Sequence, residues 1–309
     1  MTDTITQTKL PTALLEPFWS EHKTVAWISE LTGTPENIVT ERLRAEYDYQ
    51  GTNVMRHFED SGLEPYKWSS QLEQFYDQTD AFLYELAIWN CNRAKRSARK
   101  WLARYLQRCT EKSANILCIG DGLGVDSAYL DLLGYDVTYF EVSGYTQAFA
   151  KKLFAECNAD VTILTDQNRI PSSAYDVVIC LDVLEHVPDP HSFVETLVSY
   201  LRDDACLIIS APFYMIHPSN PTHLRYNRKH SGDLSLYRTH NLTLVDGKFN
   251  WNPLVFAKAA DYKTKHPKNI LNLIAIKLVG LYLAIGRFST LPFCWIDTYR
   301  HKRRRWFSR

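Results

Sequence analysis

Between about Ser113 and Lys258 the chain alternates short β-rich runs with helical stretches: "NILCIG", "VDSAYLDLLG", "DVTYFEV", "YTQAFAKKLFAEC", "VTIL", "YDVVICL", "SFVETLVSYLRDD" and "CLIISAP". Nearly continuous apolar strands joined by helices predict an α/β fold, with a mostly parallel sheet covered on both faces. Ligands of such sheets bind beyond the carboxyl ends of the strands. "NLTLVDGKFNWNPLVFAKA" predicts two further strands, a closing antiparallel pair. No feature elsewhere in the sequence restricts the fold as tightly.

The first strand runs into a glycine loop, "ILCIGDGLGVDS", with Gly120, Gly122 and Gly124 spaced by two. A glycine loop between a strand and a helix is a cofactor cradle. It lacks the lysine of a triphosphate loop, and Val125 stands where a dinucleotide loop has its third glycine. Asp121 would repel a pyrophosphate at that helix N-terminus. It suits a cofactor with a cationic group there. Glu141, 21 residues after Gly120, ends the second strand, where an acid accepts hydrogen bonds from both ribose hydroxyls. Adenosine-like ribose without pyrophosphate is the chemistry of S-adenosylmethionine.

Four landmarks carry a family resemblance: "ILCIGDGLG", "VTYFEVS", "ILTDQ" and "YDVVICLDVLEHVPDP". Together they resemble the class I S-adenosylmethionine-dependent methyltransferases with a Rossmann-like sheet, and the last is similar to the ubiquinone-pathway O-methyltransferases. The resemblance covers about half of the chain. It implies that Gly120, Gly122 and Gly124 line the methionine part of the cofactor and that Glu141, followed by Val142, holds the ribose. It implies that Asp166 meets the adenine amino group with Gln167 beside it, and that Leu181 and Asp182 lie near the cofactor. One position departs: the family carries an acid two residues before the first glycine, and here that residue is Cys118. We expect Asp121 to supply part of the missing negative charge near the cofactor ammonium.

After the fourth strand, Asp182, Glu185 and His186 are spaced i, i+3, i+4 and share one face if the stretch is helical. Oxygen and imidazole donors on such a face suit a divalent ion. Some ubiquinone-type methyltransferases and the small-RNA 3′-terminal 2′-O-methyltransferases resemble this with a metal-binding acid-x-x-Glu-His group, the latter adding a later histidine, for which His223 is the candidate. The same "LEHV" recurs in metal-free relatives, and the reading favours S-adenosylmethionine without a required metal. Methyl transfer from a sulfonium is an in-line displacement that needs chiefly alignment. Candidate bases for a hydroxyl or amine acceptor are His186, His217 and His223. Tyr76 and Tyr84 either close over the cofactor or pack within a helix.

Residues 1–112 read as helical, with Thr34 as a cap, Pro35 at the first helical position, Gly51 as a stop, and one long helical pattern over roughly Gln71–Cys109. That pattern's basic run reads as a solvated face. Residues 113–258 form the methyltransferase-like domain and 259–309 a basic, amphipathic tail. From Lys258 to Arg309 there are 12 Lys/Arg against 2 Asp/Glu, within a chain of zero net charge. That zero balance argues against nucleic acid as the partner. In "NILNLIAIKLVGLYLAIGRF" a polar stripe (Asn269, Asn272, Lys277, Gly280, Ala284, Arg287) interrupts an otherwise apolar helical pattern. This suits peripheral contact with a membrane through residues 265–309, or docking on the N-terminal helices. Seven cysteines without a CxxC pair suit a reducing, cytoplasmic setting. The reading is a methyltransferase of a small-molecule or lipid-like acceptor, on oxygen. The alternatives are methylation of a peptide or RNA, and a catalytically silent cofactor-binding protein.

Overall fold

The structure is a computed structural model that describes residues 21–248 and 253–258, together with Leu278, Leu281 and Ile285. The remainder of the 259–309 segment lies outside the described residues. Six helices come first: α1 (Glu21–Thr32), α2 (Glu36–Asp48), α3 (Thr52–Asp60), α4 (Ser70–Gln78), α5 (Ala81–Cys91) and α6 (Arg93–Cys109). The single helical pattern expected from Gln71 to Cys109 is thus three helices. The breaks have local causes. Thr79 leaves the helical region for extended backbone. Asn92 does the same, and its side chain accepts from the Ala94 amide at 2.8 Å, starting α6. Pro35, expected inside α2, stands one place earlier as its cap, and Gly51 precedes α3 in the left-handed conformation.

The sheet follows: β1 (Asn115–Ile119), α7 (Val125–Asp131), β2 (Asp136–Phe140), α8 (Gly144–Cys157), β3 (Thr162–Leu164), β4 (Tyr175–Leu181), α9 (Pro190–Tyr200), β5 (Leu201–Ser210), a short α10 (Ser235–Arg238), β6 (Thr243–Gly247) and β7 (Leu254–Ala257). Strand order is β3-β2-β1-β4-β5-β7-β6. The β3-β2-β1-β4-β5 block is parallel, and β7 runs antiparallel to both β5 and β6. The mostly parallel sheet with an antiparallel closing pair is the one the strand pattern predicts. One boundary differs: "LRDD", expected to end a helix, opens β5. The helix stops because Leu201 is extended and already pairs with Tyr175.

The strands are buried on both faces, with Leu117 and Ile119 in one apolar cluster and Ile116 and Cys118 in another. Helices α1, α2 and α5 share their core with one side of the sheet, whereas α3 and α4 build a separate cluster of Val54, Phe58, Leu72 and Phe75 with Leu224. Val25, Ile28, Val39, Leu83, Tyr84 and Ala87 join Leu123, Val125, Tyr139 and Phe149 in a single cluster. This places α1, α2 and α5 over the α7–α8 side of the sheet, near the glycine loop. No helix among the described residues is long and apolar enough to cross a membrane.

Candidate active site

The glycine loop leaves β1 at the carboxyl end of the sheet. Gly120 has φ 72°, and a Cβ there would lie 2.3 Å from Val183 Cγ2. Gly122 has φ 56°, and its Cβ would lie 2.6 Å from Leu86 Cδ1 on α5. Both positions combine left-handed backbone with a close neighbour, so glycine is required. Gly124, also left-handed, precedes α7.

The carboxylates around this loop are engaged. Asp121 accepts from the Ser127 amide and Ser127 Oγ at 2.7 Å each, and from the Asp126 amide at 3.2 Å. It therefore satisfies the first turn of α7. Burial and the neighbouring Asp126 charge push its pKa up to about 7. Asp126 meets Lys95 Nζ at 2.8 Å and the Arg99 guanidinium, and although burial opposes ionisation, these two cations hold its pKa well below the usual carboxylate range. Cys118 is buried in β1, its thiol pushed far up by desolvation and, secondarily, by Asp121. Position 118 thus lies near the acids Asp121 and Asp126, and the first two turns of α6 bring Lys95 and Arg99 to Asp126.

Glu141 follows β2 and bonds the glycine loop. Its Oε2 accepts from the Gly122 amide at 2.9 Å and its Oε1 from the Val142 amide at 2.8 Å, so β2 and the glycine loop are tied together. Val142 is 63% exposed, an apolar side chain at the surface of the cradle. Asp166 is exposed and accepts from the Asn168 amide at 2.9 Å, and Gln167 Nε2 lies 3.4 Å from Tyr200 Oη. Leu181 ends β4. These residues stand at the carboxyl edges of β1, β2, β3 and β4, as the loop spacing predicts.

The stretch after β4 departs from the helical expectation. Asp182 has φ 60°, and its carboxylate accepts from Ser210 Oγ at 2.6 Å. Only Leu184–His186 turns, as a single 3₁₀ turn. Asp182 therefore leaves the face of Glu185 and His186, and the i, i+3, i+4 set is broken by this left-handed residue. In its place the loop after β5 brings in His223. Donor atoms of Glu185, His186 and His223 lie within 4.8 Å of one another. The two imidazoles meet edge to face at 4.6 Å, and His186 Nε2 is 3.8 Å from Glu185 Oε1.

The hydrogen-bond network assigns their tautomers. His186 Nδ1 sits 2.8 Å from Tyr76 Oη and 3.3 Å from the Thr222 carbonyl. A carbonyl only accepts, so Nδ1 carries the proton and Nε2 a lone pair. The His223 ring hydrogen-bonds the Met215 backbone, and its Nδ1 has no partner among the described residues, so the lone pair is on Nδ1. Burial pushes the His186 pKa down to about 4, and drives that of His223 well down with help from His186. Glu185 is 1% exposed, and neither carboxylate oxygen meets a donor on another described residue. Its pKa is driven far up by desolvation and then by Asp182. The Glu185 carboxyl and the two imidazoles converge in a largely buried space, where a proton on Glu185 or a cation between the three groups relieves the cost of the unpartnered acid. An oxygen and two imidazole nitrogens are a donor set for a first-row divalent ion, and the outward N–H of each ring is already held by a backbone carbonyl.

Of the other expected residues, His217 belongs to a turn, its Nδ1 2.7 Å from Ser219 Oγ and its ring 6.4 Å from that of Tyr49. It is not part of the three-residue cluster. Tyr76 is in the site, bonded to His186, whereas Tyr84 packs in the helical region under the Arg42 guanidinium, 3.7 Å from its ring centre. Two participants escaped the sequence pattern. Glu85, one residue before the Leu86 that touches the glycine loop, has its pKa raised to about 8 by burial and the Glu46 charge. Lys95 reaches Asp126 across the loop. A Lys in an otherwise exposed basic run gives no sign of its own; the helical spacing of Lys95 and Arg99, four apart, was the available signal.

A family model described as a methyltransferase domain matches residues 92–254. Among curated proteins, the chain is similar to the ubiquinone biosynthesis O-methyltransferase of Glaesserella parasuis serovar 5, 31% identical over 104 residues, 31% of this chain and 44% of the relative. The enzyme of the same description from Marinobacter nauticus is 32% identical over 110 residues, covering 34% and 46%. The chain thus spans less than half the length of these curated relatives. Among solved structures, a Burkholderia thailandensis 1,6-didemethyltoxoflavin-N1-methyltransferase with bound S-adenosylhomocysteine matches with TM-score 0.42 and 20% identity, over 56% of this chain and 81% of that one.

Proposed function

This chain belongs to the class I S-adenosylmethionine-dependent methyltransferases, and from that premise we propose that it transfers a methyl group from S-adenosylmethionine to the oxygen of a small or lipid-like hydroxyl acceptor. The observation that carries the acceptor class is the buried Glu185–His186–His223 cluster at the end of β4, beside the cofactor cradle. Imidazoles that are unprotonated at neutral pH can hold or accept the proton of an acceptor hydroxyl. The partial likeness to O-methyltransferases supports the same reading.

In this reading the glycine loop receives the methionine part, Glu141 the ribose hydroxyls, and Asp166 with Gln167 the adenine edge. Val142 lies against the adenine ring. Asp121 adds negative charge behind the loop on the ammonium side. Thr222 and Met215 carbonyls fix the tautomers of His186 and His223, and Tyr76 holds the His186 ring in place. Glu185, His186 and His223 fit a divalent ion, which, when bound, would act as a Lewis acid that lowers the pKa of the acceptor hydroxyl. The helices α2–α4 and the loop after β5 cover the acceptor side: the Tyr66 amide donates to the Pro221 carbonyl at 2.7 Å and the Arg225 amide to the Tyr66 carbonyl at 3.0 Å. This cover excludes bulk water and leaves alignment of sulfonium and oxygen to the pocket.

The test combines calorimetry with S-adenosylhomocysteine and a turnover screen, reading S-adenosylhomocysteine release with phenols, prenylated phenols, amines, peptides and RNA, with and without chelator. Turnover on a hydroxyl acceptor supports the proposal. Turnover confined to peptide or RNA replaces it with the macromolecular alternative. Cofactor binding without any turnover points to a silent cofactor-binding protein, the reading to which Cys118 lends support.

A further inference from the structure

Leu278, Leu281 and Ile285 are helical, and each is more than half exposed, at 51%, 60% and 56%. At ~100° per residue they share one side of a helix. At the same spacing, the polar stripe read from the sequence, Asn269, Asn272, Lys277, Gly280, Ala284 and Arg287, is centred on the other side, with Lys277 at its border. A helix that docks on a protein core turns its apolar side inward. Here three large aliphatic side chains on the apolar side point to solvent. An exposed apolar stripe of this kind marks an interaction surface.

We propose that this stripe enters the interface of an anionic lipid membrane, with the basic charges around it on the lipid headgroups. The charge of the segment favours that occupant: residues 258–309 carry 12 Lys/Arg and 2 Asp/Glu, while the rest of the chain is net acidic. Apolar insertion plus anionic attraction is the pair of signals a peripheral protein needs. A second cationic surface lies on the body of the protein. A groove of about 600 Å³ is lined by Arg93, Arg96, Lys100, Trp101 and Arg104 of α6, with Lys248. Helix α6 has no acidic residue. Cations alone would serve RNA equally well, but an RNA backbone leaves the three aliphatic side chains in water. The inference does not rest on methyl transfer.

Flotation of the full chain with vesicles tests it. The expected result is co-flotation with phosphatidylglycerol-containing vesicles, much weaker with pure phosphatidylcholine and weakened by salt. The triple variant Leu278→Ser, Leu281→Ser, Ile285→Ser should lower the partition coefficient on the order of 100-fold. Its melting temperature and S-adenosylhomocysteine affinity should stay at wild-type values, which separates membrane loss from misfolding and from failure of the cofactor reading. Three results overturn the proposal: no binding of the wild type to anionic vesicles, undiminished binding of the triple variant, or a wild-type dimer in light scattering that the triple variant abolishes, which makes a second copy the occupant. Tighter binding to RNA than to vesicles, insensitive to the triple substitution, overturns it as well.

Discussion

The two ends of the candidate site treat buried charge in opposite ways. Around the glycine loop three acids have partners: Asp121 the first turn of α7, Asp126 two cations, Glu141 backbone amides. Beyond β4, the Glu185 carboxyl converges with two imidazoles and finds no donor among the described residues. The first end finds its partners within the chain, although burial still raises the pKa of Asp121 to about 7 and that of Glu141 above its ordinary value. The second is satisfied only by something from outside the described chain, a proton or a cation. Protein interiors tolerate such an arrangement where it serves a ligand, because a cluster paired internally would have no capacity left to bind.

The comparison is tested most severely at Glu185. Glu185→Gln should lower the turnover rate by roughly 100- to 1,000-fold, while S-adenosylhomocysteine affinity changes less than about threefold. In chelator-treated protein it should also raise stability by roughly 1–3 kcal/mol, since an unpartnered buried acid is replaced by a neutral amide. A thermal melt that shows Glu185→Gln destabilised would mean that this carboxylate is paired after all. Addition of a divalent ion should raise the wild-type melting temperature and leave that of Glu185→Gln unmoved.

At the opposite end, Glu141→Ala should weaken S-adenosylhomocysteine binding by roughly 100-fold, the worth of two charge-assisted hydrogen bonds less the solvation regained. Calorimetry reads this directly, and an unchanged affinity would remove Glu141 from the cofactor site. Between the two ends stands Glu85. Its pKa of about 8 in the folded chain is above the ordinary 4.5, so the native state binds the extra proton. Stability from this group is complete below pH 4.5 and declines as pH rises toward 8, at up to about 1.4 kcal/mol per unit. Glu85→Gln should flatten that decline in a pH series of melts. The smallest effect expected is at Asp121. Asp121→Asn should weaken cofactor binding by roughly tenfold or less and cost about 1 kcal/mol of stability through α7. Unchanged affinity in both Asp121→Asn and Asp121→Ala would leave this residue a purely structural partner of α7.

These regions also differ in how far they were legible beforehand. The cofactor half is encoded locally: strand, glycine loop and helix are contiguous, and Glu141 follows at a spacing that β1, α7 and β2 determine. The half around Glu185 is assembled from distant segments. Glu185 and His186 sit next to "VPDP", but their neighbours Tyr76 and His223 come from α4 and the loop after β5. Spacing alone made Asp182 a partner, and the left-handed φ of that residue, held by Ser210, turned it away. The breaks between α4, α5 and α6 were hidden for a related reason: Thr79 and Asn92 break a helix only when capping outweighs continuation, which depends on packing.

The links between the helical cover and the loop after β5 join residues more than 150 positions apart, Tyr66 with Pro221 and with Arg225. At the same contact, a Cβ on Gly51 would lie 2.2 Å from the Ser219 carbonyl oxygen. Loops that long are entropically expensive to close and slow to find. The cofactor cradle depends on neighbours in the chain and can form early in folding. The proposed acceptor side needs contacts between the segment around residues 51–66 and the loop after β5. On the proposed reading, the donor side of the site is therefore built from nearer parts of the chain than the acceptor side is.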